Sequence, residues 1–278
     1  MQHLETSYTA PDGVNLYLQA WMSGEPKASL LLIHGLGEHS ARYQSLVEGL
    51  VNLGVSVFTF DGRGHGQSSR DKPTAYFDSY ETYLEDIHAL YGKVKAYVPG
   101  VPSFIFGHSM GGGLAVAYAL KFQPETQGII LSAPAIKEAE GTSAILIAIS
   151  GILNKILPKL PALALDISGI SRIPEEVEKY KKDPLVFQGK IPVRTGYELL
   201  QVMRFIQEHA EKFNFPFLVM HGTADRLTNP EGSKLLFEKS PSKDKTIEIL
   251  EGAYHELLND LDRDKALEMI LGWLEKRI

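Results

Sequence analysis

Short, mainly apolar runs recur along the chain, most of them halted by glycine, histidine or aspartate and separated by longer stretches with helical spacing. They fall at 30–33, 55–60, 104–106, 129–131, 217–220 and 246–250. Strands this short and apolar, spaced by helix-length segments, predict a mostly parallel sheet covered by helices on both faces. The first twenty residues differ. Apolar and polar positions alternate from 4 to 21 around Pro11-Asp12-Gly13, which predicts a β-hairpin.

The rhythm breaks between 135 and 213. No strand pattern is evident there, and the stretch is rich in Leu, Ile and Pro. A structureless loop beyond ~15 residues is uncommon inside a compact domain, so a helical insertion after the sixth strand is the economical expectation. This gives a single domain over 1–278 with an inserted helical cap at 135–213. At about 100° per residue, 143–157 forms a helix with Ser143, Ser150 and Asn154 on one narrow stripe. Ile145, Ala148, Ile149, Ile152 and Ile156 oppose that stripe, and Leu146, Leu153 and Leu157 extend the apolar arc. Two readings fit so wide an arc: a helix buried on both sides, or a lid that lines an acyl tunnel and rests its outer side on lipid.

Composition narrows the function. A net charge of −6, with no basic run interleaved with aromatics, argues against nucleic acid as a partner. The absence of cysteine removes disulfides, a thiol nucleophile and thiolate-ligated zinc, and fits a reducing compartment. The first residues lack the basic-then-apolar order of a signal peptide. The most apolar run, 144–153, is far short of the ~20 residues needed to span a bilayer. No metal-ligand spacing is present, and no cofactor is implied. Oligomeric state leaves no mark on the sequence.

The chemistry lies where strands end. Gly107-His108-Ser109-Met110-Gly111 matches G-x-S-x-G between an apolar strand and a helical run at 114–120. That context fits a nucleophile elbow, with Ser109 on a sharp strand-to-helix turn and its Oγ raised above the sheet edge. The Met110 N–H is one oxyanion donor. The other is expected from the glycine-rich loop after the 30–33 strand, at Leu36. An acid and a base should follow in that order, and two strand-exit loops supply Asp225 and His255. His255 would take the Ser109 proton, with Asp225 holding its tautomer. His34 and His221 are read as bracing residues, His65 as part of a rigid loop, and His88 and His209 as packing or surface residues.

With these motifs in hand, the sequence resembles the monoacylglycerol lipase family over nearly its whole length. The resemblance rests on His34-Gly35-Leu36-Gly37-Glu38-His39-Ser40, Gly64-His65-Gly66-Gln67-Ser68, the elbow, Ala224-Asp225-Arg226-Leu227 and Glu251-Gly252-Ala253-Tyr254-His255. It extends into the insertion through 152–158, Ser171-Arg172, Tyr180 and Asp183-Pro184-Leu185. It implies an α/β-hydrolase fold, a cofactor-free esterase that splits monoacylglycerol into fatty acid and glycerol, and a cytosolic or peripherally membrane-bound location. It also implies that Glu38, Arg42, His108 and Tyr180 line a polar, glycerol-accepting end, although Glu38 and Arg42 equally suit a structural ion pair. Gly62 stands where many relatives carry a bulkier residue, which predicts a looser loop. Leu258 stands where mammalian relatives have a histidine, and Phe187, Arg194 and Thr228 where they have cysteine.

The reading is a serine ester hydrolase acting through an acyl-enzyme on Ser109, with long-chain monoacylglycerol as substrate. A lysophospholipase, a broad carboxylesterase and, from another class, a non-catalytic binding protein on a hydrolase scaffold are the alternatives. Serine at 109 disfavours epoxide hydrolase and dehalogenase chemistry, which need a carboxylate there.

Overall fold

The computed structural model describes residues 2–69, 71–139 and 144–278, with side chains described from 149 onward in the last stretch. The alternating N-terminal segment forms β1 (Gln2–Thr9) and β2 (Asn15–Met22), an antiparallel hairpin. The apolar runs become β3 (Ala28–Ile33), β4 (Val55–Phe60), β5 (Ser103–His108), β6 (Gly128–Ser132), β9 (Phe217–Gly222) and β10 (Lys245–Leu250). They build an eight-stranded sheet in the order β1-β2-β4-β3-β5-β6-β9-β10, parallel from β4 to β10. The mostly parallel α/β-hydrolase sheet expected from the sequence is the one observed.

Burial explains the run pattern. β3, β5, β6 and β9 are buried at every residue, because helices cover both faces and leave no polar side for alternation. One face carries a core including Leu31, Ile105, Leu114 and Val219, and the other a core including Leu30, Phe104, Ile130 and Trp273. The helices include α1 (Gln44–Asn52), α2 (Tyr80–Tyr97), α3 (Met110–Phe122), α7 (Pro230–Lys239) and α8 (Arg263–Glu275). His88 packs on α2, stacked on Phe122 at 4.5 Å between ring centroids. His209 closes α6 (Val193–His209).

Between β6 and β9 the chain leaves the sheet and forms α4 (Ala144–Ile156), α5 (Pro174–Lys182) and α6. It also forms β7 (Pro161–Leu163) and β8 (Ile191–Pro192), a small antiparallel pair that the sequence did not reveal. These strands are three and two residues long and each contains proline, too short and too interrupted to carry a period of two. The Ser143 position of the anticipated helix lies outside the described residues, as do the side chains of Ile145, Leu146 and Ala148.

The anticipated looseness at Gly62 is not observed. A Cβ there would fall 1.6 Å from the Tyr83 hydroxyl oxygen, so the space is filled by a buried tyrosine of α2. The Gly62 N–H also donates to His34 Nε2 at 2.9 Å. Glycine here permits close packing and the loop is pinned.

Candidate active site

Ser109 joins β5 to α3 with φ 53° and ψ −119°, a conformation an L-residue adopts only under constraint, at a cost of roughly 1–3 kcal/mol. The constraint is visible. Its N–H donates to the Ser132 carbonyl at 3.0 Å, and its own carbonyl accepts from the N–H groups of Gly113 (3.0 Å) and Ala135 (2.9 Å). The flanking glycines are required by space. A Cβ at Gly107 would lie 2.4 Å from the Gly111 carbonyl oxygen, and one at Gly111 would lie 2.2 Å from that of Ile33. Both obstacles are backbone, which cannot rotate aside. Met110 opens α3, so its N–H has no acceptor within the helix and remains available for an oxyanion.

Asp225 and His255 meet although thirty residues separate them, because parallel β9 and β10 end side by side. His255 Nδ1 lies 2.7 Å from Asp225 Oδ2, and both side chains are buried. Four further donors hold the carboxylate: the N–H groups of Leu227 (2.7 Å) and Thr228 (3.0 Å), the Thr228 hydroxyl (2.8 Å) and His221 Nε2 (3.1 Å). Burial favours the neutral acid, but His255 and these donors outweigh it and hold Asp225 far below the usual carboxylate range. For His255, burial opposes charging, the Asp225 carboxylate more than offsets it, and the ring titrates above the ordinary histidine value. The geometry leaves Nε2 as the nitrogen that Asp225 does not engage.

Ser109 and His255 line one cavity of about 250 Å³, together with Leu36 and Met110. Near the serine its wall is polar, with Glu38, His108, Tyr180 and Glu256. Away from it the wall is mainly apolar and comes from the 135–213 segment, with Leu153, Leu163, Val193 and Met203 among its residues. The neutral form of His108 is favoured, its pKa pushed down to about 4 by burial and the neighbouring His255, whose ring centroid is 4.7 Å away.

Glu38 faces two ways. Its Oε1 accepts the Gly35 N–H at 2.6 Å and the Tyr43 hydroxyl, and its Oε2 accepts from Arg42 at 2.9 Å. It therefore folds the loop that presents Leu36. Arg42 does not line the cavity; its guanidinium grips Glu256 through two bonds of 2.6 and 2.8 Å and lies 4.6 Å over the Tyr180 ring. The ion-pair reading of Glu38 and Arg42 is thus realised, while Glu38 and Tyr180 also border the cavity. Sequence reasoning missed Glu256, Tyr43 and the hydroxyl role of Thr228. Only Glu256 left a signal, a carboxylate beside His255, and its partner is remote in sequence.

The profile of the family described as serine aminopeptidase, S33, matches residues 24–262. A monoacylglycerol lipase of Mycolicibacterium smegmatis is 32% identical, over 97% of this chain and 96% of that protein. The monoglyceride lipase of Rattus norvegicus is 35% identical, over 96% of this chain and 89% of that protein. The crystal structure of Paleococcus ferrophilus monoacylglycerol lipase superposes with a TM-score of 0.85 at 34% identity, covering 95% of this chain and 99% of that one. A strained serine over a parallel sheet, a histidine–aspartate pair at the same edge and relatives matched almost end to end lead to one conclusion: the chain belongs to the monoacylglycerol lipase family of α/β-hydrolase serine esterases.

Proposed function

We propose that this protein hydrolyses monoacylglycerols to fatty acid and glycerol, with Ser109 as nucleophile, His255 as general base and acid, and Asp225 as the group that orients and charges the base. The observation that carries the reading is the two-ended cavity, whose apolar arm suits one acyl chain and whose polar wall lies at the serine. Ser109 Oγ attacks the ester carbonyl while His255 takes its proton. The oxyanion is received by the N–H groups of Leu36 and Met110, and His255 returns the proton to the departing alcohol. A water activated by His255 then frees the acid. The named activities of the relatives support an ester of a single acyl chain.

The 135–213 segment acts as a cap whose inner side is the acyl arm. Its α4 is inverted for a water-facing helix: Asn154 is buried and Ser150 borders the cavity, while Ile152 and Ile156 are 64% and 68% exposed. Ile149, Leu157, Leu160 and Leu163 extend this exposed apolar surface. Lys155 and Lys159 lie exposed beside it, a composition suited to an anionic lipid surface. Among the described residues no helix is long and apolar enough to cross a membrane.

A profile across monoacylglycerols, lysophospholipids, triacylglycerols and short p-nitrophenyl esters tests the substrate. Long-chain monoacylglycerols should give the highest kcat/KM, and turnover confined to the short esters would leave only a general esterase. Hydrolysis that survives Ser109→Ala would overturn the mechanism.

A further inference from the structure

The polar wall of the cavity holds an uneven set of charges. Glu38, Glu138 and Glu256 all border the cavity, and among the described residues the cation that pairs with Glu38 and Glu256 is Arg42, which does not itself line it. The guanidinium is spent on these two carboxylates, with Nη1 bonded to both and Nη2 to Glu256 alone. Two anions against one cation leave the Glu38–Arg42–Glu256 cluster with one uncompensated negative charge, and Glu138 adds a further carboxylate to the lining. The placement matters because the wall is close to the reacting atoms. Glu256 directly follows the base, Glu38 bonds the Gly35 N–H, and a Cβ on Gly35 would come within 3.2 Å of the Ser109 Cβ. Each of the two carboxylates is about nine-tenths or more buried, so water and salt screen this charge poorly.

We propose that Glu256 is a specificity-determining residue that makes the alcohol-side wall net negative, so that the enzyme selects esters of uncharged alcohols and rejects lysolipids bearing a phosphate on the leaving group. This rests on the monoacylglycerol reading above and deepens it. A phosphate on the leaving glycerol would be held within several ångströms of Glu38 and Glu256. With Arg42 already bonded to both, no free guanidinium meets it. Like charges about 8 Å apart at an effective dielectric of about 20 repel enough to change a rate about thirty-fold. Uncharged glycerol hydroxyls meet no such repulsion and find carboxylate acceptors. The same charge acts favourably on the base: Glu256 and Glu38 both add to the forces that raise the His255 pKa, after burial and Asp225.

The test holds the acyl chain constant. Hydrolysis of 1-oleoylglycerol and of oleoyl-lysophosphatidate, each in mixed detergent micelles, is measured for the wild type, Glu256→Gln and Glu256→Asp. The wild type should favour the neutral lipid at least ten-fold in kcat/KM. Glu256→Gln should narrow that preference about ten-fold or more and move the acid limb of the pH profile downward, whereas Glu256→Asp, which keeps the charge, should retain the preference. Labelling of Ser109 by a fluorophosphonate confirms that each variant is folded. A wild type that cleaves both lipids equally, or two variants that slow both substrates in parallel, would overturn the proposal and leave the monoacylglycerol reading standing. A wild type that cleaves short p-nitrophenyl esters but neither lipid would overturn both.

Discussion

Asp225 receives five hydrogen-bond donors, and the sign of its shift makes an experimental statement. A carboxyl whose folded pKa lies below its ordinary 3.8 contributes stability above that value, and the contribution fades as pH falls through the folded pKa. His255 is shifted the other way, above 6.5, and a base must be neutral to accept a proton. The acid limb of kcat/KM should therefore lie above pH 6.5, with activity falling as pH drops through it. Asp225→Asn should lower kcat about 10⁴-fold by leaving the wrong tautomer. A pH–rate profile on a soluble ester checks both. Tyr83 supplies a stability prediction: its hydroxyl is buried without a partner and presses on Gly62. Tyr83→Phe should be neutral or stabilising by about 1 kcal/mol, and Gly62→Ala destabilising by about 1–3 kcal/mol, both read from denaturant unfolding.

At the scale of elements, α4 separates pattern from placement. The period-3.6 arithmetic correctly opposed Ser150 and Asn154 to Ile149, Ile152 and Ile156, but periodicity does not say which face looks inward. Here the polar stripe does, and isoleucines that would ordinarily enter a core face outward. An Ile152→Glu/Ile156→Glu double variant should lose binding to phosphatidylglycerol vesicles, measured by sedimentation, and lose several-fold activity on vesicle-borne monoacylglycerol. Its turnover of p-nitrophenyl butyrate should stay within about two-fold of wild type. Equal loss on both substrates would place the defect in the cavity instead of the membrane contact.

Over the whole molecule, the 135–213 segment is tied to the sheet domain by charged clasps at its base. Asp260, fully buried, accepts from the backbone N–H of Arg172 (2.7 Å), Arg172 Nε (2.9 Å) and the Tyr254 N–H (2.8 Å). Elsewhere, His39 Nε2 meets Asp183 Oδ2 at 2.8 Å. Removing one partner of a buried charge network costs about 3–5 kcal/mol. Asp260→Ala should accordingly lower Tm by roughly 5–9 °C for a chain of this size. Because Tyr254 adjoins His255, it should also reduce kcat more than Asp183→Ala does; differential scanning calorimetry with steady-state kinetics separates the two effects.

Local interactions wrote the strands, the elbow and the order of Ser109, Asp225 and His255 into the sequence. An apolar run bounded by glycine has few places to go in a sheet buried on both faces, and in G-x-S-x-G the glycine at 107 is enforced by backbone four residues on, while the one at 111 is enforced by the end of β3. Contacts between distant segments left no such trace. The Arg42–Glu256 grip spans 214 positions, and the β7–β8 pairing offers only a few residues to read. The orientation of α4 depends on what the rest of the fold places beneath it. The sequence by itself determined the strand-to-helix turn that carries Ser109. Only the tertiary structure decided the charge and shape of the space around it, because these are sums over residues that meet only when the sheet edge and the 135–213 segment come together.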